Sequence, residues 1–259
     1  MRTLETLVLH GSGWLEAMDA SGVQAQPRRP LPLPRMQLRL SRSPADLRLV
    51  PQASGRIALW RHQPAALRRT VDGAATPADL APPAQALFTL EGELADPQGQ
   101  FLPRVFRVDA GGGAGHALRL YRSSAGTVFG SEGGLIGRVR SAADQPVPWA
   151  LLTLVVRPPM AAPLTYKAQA DAQGEFRLSL QRLPPGAAAS TVYPATLTAR
   201  ATAGAPAASP DPDAQPEVDL RTGEDADPAW APELTVDVAP GRVAALTSPG
   251  QGALVLQLA

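Results

Sequence analysis

Imidazoles and thiols are the residues most often recruited for metal and nucleophile chemistry. This chain of 259 residues has three histidines, His10, His62 and His116, and no cysteine. The histidines show neither an H-E-x-x-H run nor paired spacing, so each reads as a surface or hydrogen-bonded side chain. Ser12, in His10-Gly11-Ser12-Gly13, does not form the G-x-S-x-G elbow that presents a nucleophilic serine. Glu91 and Glu93 stand two apart in Leu90-Glu91-Gly92-Glu93-Leu94, and a strand turns such residues to one face. Two carboxylates could serve as acid and base on a glycoside; a solvated strand face is the plainer reading. Asp211, Asp213, Glu217 and Asp219 offer oxygen ligands suited to calcium. They lack the spaced loop with a central glycine, so a solvated acidic loop is the plainer reading there too. The run Gly111-Gly112-Gly113-Ala114-Gly115 lacks the G-x-G-x-x-G spacing of a phosphate cradle, and nothing beside it reads as a helix. Trp14, Trp60, Trp149 and Trp230 could build a sugar-binding platform; Trp149 reads instead as core, and Trp230 as an anchor for the acidic segment. No catalytic, cofactor-binding or metal-ligating residue is assigned, and no cofactor is expected.

The elements that would hold such residues are strands. Of the 259 residues, 28 are proline, about twice the usual ~5% share, and proline breaks helix interiors. With 44% hydrophobic residues, a wholly disordered chain is excluded. Without cysteine a disulfide-stapled secreted domain is excluded as well. Short apolar runs alternate with Pro, Gly and Asp. In the first half they are Leu4–Leu9, Met36–Leu40, Leu47–Val50, Ile57–Trp60, Leu87–Leu94, Val105–Val108 and Ala117–Tyr121. In the second they are Leu135–Arg140, Ala150–Val156, Thr165–Ala170, Glu175–Leu180, Thr196–Ala201, Leu234–Val238 and Leu254–Leu258. Met36, Leu38 and Leu40 alternate with Gln37, Arg39 and Ser41, the period of a half-buried strand. Many short strands with turn residues between them predict an all-β protein of two β-sandwich modules with long Pro/Gly-rich connections. A boundary is expected near Gly130-Ser131-Glu132-Gly133-Gly134. It separates a β-rich domain over 1–130 from a sandwich over 131–259 with an acidic loop near 205–230. Gly111–Gly115 and the stretch from Gly204 to Trp230 read as linkers or mobile loops, and removing 205–228 is expected to leave the fold largely intact.

Charge is uneven although the formal net charge is +1. Arg28 to Arg69 holds ten arginines against Asp46, a local +9; Asp211 to Asp237 holds nine acids against Arg221, a local −8. Such runs are usually solvated faces, and opposed ones suit docking within the chain or between copies. Trp60 is the one aromatic interleaved with the arginines, which speaks against nucleic acid. The opening run Leu7-Val8-Leu9 is interrupted by His10 and Gly11, too short for a signal peptide, and no apolar stretch approaches the ~20 residues of a membrane helix.

Residues 134–204 resemble the carboxypeptidase regulatory-like domain, a transthyretin-like β-sandwich. The residues that carry the likeness are Gly137-Arg138-Val139, then Pro146-Val147-Pro148-Trp149-Ala150 leading into Leu151–Val156, then Asp171-Ala172-Gln173-Gly174-Glu175-Phe176-Arg177-Leu178. Leu183-Pro184-Pro185-Gly186 and the strand around Leu197-Thr198-Ala199 complete it. Insertions at Met160-Ala161-Ala162-Pro163 and Ala187-Ala188-Ala189-Ser190 depart from the pattern. The resemblance implies a hairpin through Asp171–Phe176, with Phe176 and Leu178 inward and Glu175 and Arg177 outward, and an accessory or docking module without catalytic apparatus. Asp96-Pro97-Gln98-Gly99-Gln100-Phe101 repeats the D-x-Q-G-x-F form. Phe101-Leu102-Pro103-Arg104 and Leu120-Tyr121-Arg122-Ser123-Ser124-Ala125-Gly126-Thr127 resemble accessory proteins of phage-tail-like contractile injection particles.

The expectation is therefore a non-catalytic structural or adaptor protein, a possible assembly component of such a particle. The alternative is a carbohydrate- or protein-binding sandwich module, with an enzyme the remaining class. Protein partners or self-assembly are expected, without nucleic acid or membrane; a small-molecule ligand is left open. The expected location is cytoplasmic, with release as part of a particle allowed.

Overall fold

The computed structural model describes residues 9–23, 30–32, 35–62, 87–188, 190–204, 209, 211–224 and 229–258. The described residues form an all-β fold with no α-helix; one 3-10 turn spans Pro212–Ala214. The first half holds β1 (Leu9–Asp19), β2 (Gly22–Val23), β3 (Pro30–Leu31), β4 (Gln37–Arg42), β5 (Arg48–Pro51), β6 (Ile57–His62), β7 (Phe88–Ala95), β8 (Arg104–Ala110) and β9 (Ala114–Leu120). The second holds β10 (Gly133–Ser141), β11 (Leu151–Val156), β12 (Leu164–Gln169), β13 (Glu175–Ser179), β14 (Tyr193–Arg200), β15 (Glu217–Arg221), β16 (Trp230–Ala231), β17 (Leu234–Val238), β18 (Arg242–Ala245) and β19 (Leu254–Gln257). The first expected strand, Leu4–Leu9, lies outside the described residues except for its last position.

The chain divides into two compact units. One comprises Met1–Met18, Pro30–Leu94 and Phe106–Leu118; the other comprises Asp19–Arg29, Ala95–Val105 and Arg119–Ala259. In the first unit a five-stranded sheet runs β3-β1-β6-β5 with β9 also on β1, and a three-stranded sheet runs β4-β7-β8. Strands β1 and β6 are antiparallel from Leu9↔His62 to Leu15↔Ile57, with a register shift between Gly11 and Gly13. Leu15, Ala17 and Leu59 on the first sheet, and Leu90, Leu94 and Phe106 on the second, are buried.

In the second unit one layer is built around β14, which pairs antiparallel with β11 along its length and with β17 and β15 in succession on its other side. Strand β12 continues from β11, and β2 from β12. The opposing layer is built around β10, antiparallel to β13 and parallel to β18 and then β19. Strand β15 passes from one layer to the other: Val218 pairs with Ala199 of β14, and Leu220 pairs with Leu256 of β19. Leu135, Val139, Phe176 and Leu178 from the β10 layer share one core with Leu152, Leu154, Tyr166 and Leu197 from the β14 layer. Burying facing apolar rows of two sheets is what makes a sandwich stable.

Asp171 builds the turn between β12 and β13. Its Oδ1 accepts the N–H of Gln173 and of Glu175, both at 2.9 Å, and its carbonyl accepts from Gly174 at 3.1 Å. Gly174 sits at φ 78°, where only glycine is free of penalty. The turn is an arch, not the expected hairpin: β12 pairs with β11, and β13 crosses to β10. Inward Tyr166 and Phe176 then face one another's layers, which a hairpin within one sheet would not permit. Asp96 repeats this geometry: Oδ1 accepts from Gln98, Oδ2 from Gln100, and the carbonyl from Gly99 at 3.0 Å. Replacing Asp171 by alanine is expected to lower stability by about 1 kcal/mol, read as an earlier urea midpoint.

Two segments expected to be loose are built into the fold. The glycine run is a tight turn from β8 to β9, with Gly111, Gly112 and Gly113 all at positive φ and the Gly113 N–H donating to the Ser12 carbonyl. Within the acidic stretch, 217–221 is β15, with Val218 and Leu220 buried, so the expected loop near 205–230 is corrected there. Five of its residues alternate Glu-Val-Asp-Leu-Arg, a strand pattern masked by flanking charge. Positions 205–208, 210 and 225–228 of that stretch lie outside the described residues. The start of the segment is held as well. Arg104, buried, donates Nη2 to Asp211 at 2.7 Å and Nη1 to the Arg119 carbonyl at 2.6 Å. Arg119 reaches Asp213 at 3.2 Å.

Candidate functional site

The sequence candidates do not converge among the described residues. His10 and His62 lie on β1 and β6, where His10 pairs with Arg61 and His62 with Leu9. Ser12 is buried at the register shift between Gly11 and Gly13. Glu91 and Glu93 share a face of β7 as expected, and Glu91 forms ion pairs with Arg42 and Arg107 at 3.6 and 3.5 Å. Asp211 and Asp213 are turned to Arg104 and Arg119, and Glu217 to Arg200 at 2.7 Å. Among the described residues no group of three or more acidic or imidazole side chains is gathered to hold a metal ion. In the arginine-rich stretch Arg56 pairs with Glu16 and Arg61 with Asp46, each at 2.8 Å. Ion pairs thus meet Arg42, Arg56 and Arg61 in the basic run and Asp211, Asp213 and Glu217 in the acidic one.

The tryptophans separate in role. Trp149 is core, as expected, and holds a left-handed backbone at φ 61°, an uncommon conformation for a bulky residue. Its carbonyl accepts the buried amides of Gln169 and Gln215, both at 3.2 Å, which fix that turn from inside. Trp230 is half-buried in β16, opposite Arg221. In the first unit Trp14 lies against Gly115, where a Cβ would collide with the indole, and the Arg56 guanidinium stands 5.6 Å from its ring centre.

His116 on β9 is half-buried. Burial pushes its pKa down, and the Asp109 carboxylate offsets part of that. The folded chain therefore disfavours the imidazolium. Its contribution to stability is complete above the ordinary value of 6.5 and declines as pH falls through it toward the lowered folded value. Acidification is expected to lower the melting temperature of the native chain more than that of His116→Gln.

The most developed surface feature of the second unit lies along β13. In the antiparallel ladder with β10, Val139 N–H donates to the Gly174 carbonyl and Leu180 N–H to the Gly133 carbonyl. The alternation between those bonds turns the backbone groups of Glu175, Arg177 and Ser179 away from β10. Glu175 is met by Asp171, whose N–H donates to the Glu175 carbonyl at 2.9 Å. Strand β13 stands at the end of its sheet; Arg177 is exposed on that edge, whereas Ser179 is buried with its carbonyl close to Gly22.

Beside this edge is a groove of about 360 Å³ whose lining includes Ile136, Ala245, Thr247, Ser124 and the Arg138–Glu175 pair, 2.9 Å apart. Ile136 is 39% exposed, and the Ser124 Oγ is buried without a hydrogen-bond partner. A smaller cleft of about 120 Å³ adjoins Arg177 on its other side, and Arg122, Asp19, Ser21 and Ser179 are among its lining residues. The rim is rigidly tied. Arg122 Nε donates to Asp19 at 2.8 Å, its Nη1 to the Gly126 carbonyl at 3.0 Å, and its backbone N–H to Ser21 Oγ at 2.6 Å. Its guanidinium also stands 5.3 Å from the Phe101 ring centre. Gly126 packs so tightly on the Gln100 carbonyl that no Cβ fits there. The sequence marks Arg177 as outward on its strand, but nothing in its spacing marks β13 as an edge.

Compared with family models, with curated proteins and with solved structures, the chain matches none. Among the described residues no helix is long and apolar enough to cross a membrane.

Proposed function

We propose that this chain is a non-catalytic structural or adaptor protein whose second unit receives an extended segment of a protein partner along β13. The observation that carries this reading is the exposed edge at Arg177 beside a groove that Ile136 helps to line. An added strand gains backbone hydrogen bonds from such an edge and side-chain specificity from the adjoining groove. The tied rim favours docking, because a preformed surface loses little entropy on binding. The likeness of residues 134–204 to the transthyretin-like regulatory domain points the same way, since that family serves as an accessory and docking module. We assign the assembly, on the likeness of Phe101–Arg104 and Leu120–Thr127, to a phage-tail-like contractile injection particle.

The test is co-sedimentation of the tagged full chain with such particles from its host, compared with Ile136→Glu. That substitution places a charge on a partly exposed groove floor and leaves the core untouched. Wild-type chain in the particle fraction, and the variant folded but absent from it, is the expected result. Migration as a free protein, or retention of the variant at wild-type level, would overturn the reading.

A second reading rests on Trp14 and Trp60. Trp14 pairs with Ala58 and Trp60 lies two residues beyond on β6, so both indoles belong to one face of the sheet. With Arg56 over Trp14, this face could bind carbohydrate. A glycan panel that changes tryptophan fluorescence in wild type and not in Trp60→Ala would favour it.

A further inference from the structure

The cleft on the far side of Arg177 differs from the groove in size and chemistry. At about 120 Å³ it admits a small polar group with one or two waters; ligand-sized pockets start near 300 Å³. Ser179 is 8% exposed, lines the cleft, and its Oγ has no hydrogen-bond partner. A buried hydroxyl left unpaired is unfavourable, and a ligand oxygen would satisfy it. Arg177 is exposed and has no charged or hydrogen-bonding partner for its guanidinium among the described residues. Arg122 on the opposite wall is already committed to Asp19 and the Gly126 carbonyl. Among the described lining residues the cleft thus holds two guanidinium groups and one carboxylate, a balance of one positive charge. That balance suits a monoanion; Asp19 would repel a doubly charged group.

We propose that the cleft is a carboxylate site, and that the docking segment presents an aspartate or glutamate side chain there, held by the Arg177 guanidinium and the Ser179 hydroxyl. The inference rests on the strand-docking reading, because the exposed edge of β13 at Arg177 is what brings the segment alongside. Arginine suits the role through its planar pair of donors. The partner segment is therefore extended and acidic at one position, with apolar residues alternating over the groove.

The test uses the isotope-labelled full chain and four probes followed by NMR. These are acetate, inorganic phosphate, the blocked peptide acetyl-Val-Thr-Val-Glu-Val-Thr-amide, and the same peptide with Gln for Glu. The glutamate peptide is expected to bind roughly tenfold more tightly than its glutamine counterpart, shifting the Arg177 side-chain and Ser179 amide signals. Arg177→Gln and Ser179→Ala, neither of which removes a side chain of the hydrophobic cluster, should reduce that ratio, and Arg177→Lys should keep part of it. Equal binding of the two peptides would overturn the carboxylate site and leave strand docking standing. Response to acetate with neither peptide bound would keep the carboxylate site and overturn strand docking. Response to phosphate but not to acetate would overturn the carboxylate assignment, and silence toward all four would overturn both.

Discussion

Leu220→Asp is expected to leave the second unit unable to fold. Leu220 is fully buried on β15, the strand that pairs with β14 at Val218 and with β19 at Leu220. It belongs to the core both layers share. A carboxylate there is buried without a partner, which costs several kcal/mol, and a whole domain has only about 5–15 kcal/mol to lose. The hydrogen-bonded connection between the layers passes through the same residue, so the sheets cannot separate locally to relieve it. Circular dichroism and denaturant titration should show the second unit's transition abolished. Leu220→Val, which removes one methylene, should keep a cooperative transition with a loss of about 1 kcal/mol. An aspartate variant melting like wild type would mean that β15 does not bridge the layers.

Phe176→Ala should destabilise by roughly 3–5 kcal/mol, the usual cost of truncating a core aromatic. Phe176 is 2% exposed and pairs across the ladder with Gly137. A Cβ on Gly137 would come within 2.8 Å of the phenyl ring, so the ring occupies the space the glycine leaves open. Alanine at 176 would uncover that glycine on one side and empty the ring's volume on the other, with no neighbouring side chain on Gly137 to fill it. A fall in the urea midpoint with an unchanged slope is the expected reading. A midpoint equal to wild type would place the ring outside the core.

The all-β character was legible because the runs Met36–Leu40 and Thr196–Ala201 alternate on a two-residue period that no helix shares, and because short apolar runs such as Leu151–Val156 are bounded by proline. The inward setting of Phe176 and Leu178 followed from the same alternation, and the core setting of Trp149 from its place at the entry to a strand. What stayed hidden depends on pairing between distant segments. Glu-Val-Asp-Leu-Arg at 217–221 alternates as a strand should, but its neighbours are acidic and proline-rich, and its stability comes from β14 and β19. The arch at Asp171 has the turn chemistry of a hairpin; only the partners chosen by β12 and β13 distinguish the two. The cleft was invisible for the same reason. Arg122, Ser21 and Ser179 have nothing in common along the chain, and the hydrogen bond from the Arg122 backbone to Ser21 joins residues a hundred positions apart.

The second unit draws on three separate stretches, Asp19–Arg29, Ala95–Val105 and Arg119–Ala259. During synthesis Val23 leaves the ribosome long before Tyr166, the residue it pairs with, and Arg104 must wait for Asp211. Closing such long loops is entropically slow, so this unit can finish only after Leu254–Gln257 of β19 has emerged. Its early pieces must stay uncommitted until then, which makes the nascent chain a natural client for factors that shield unpaired strands. A gene split near codon 130 would not yield two self-sufficient halves.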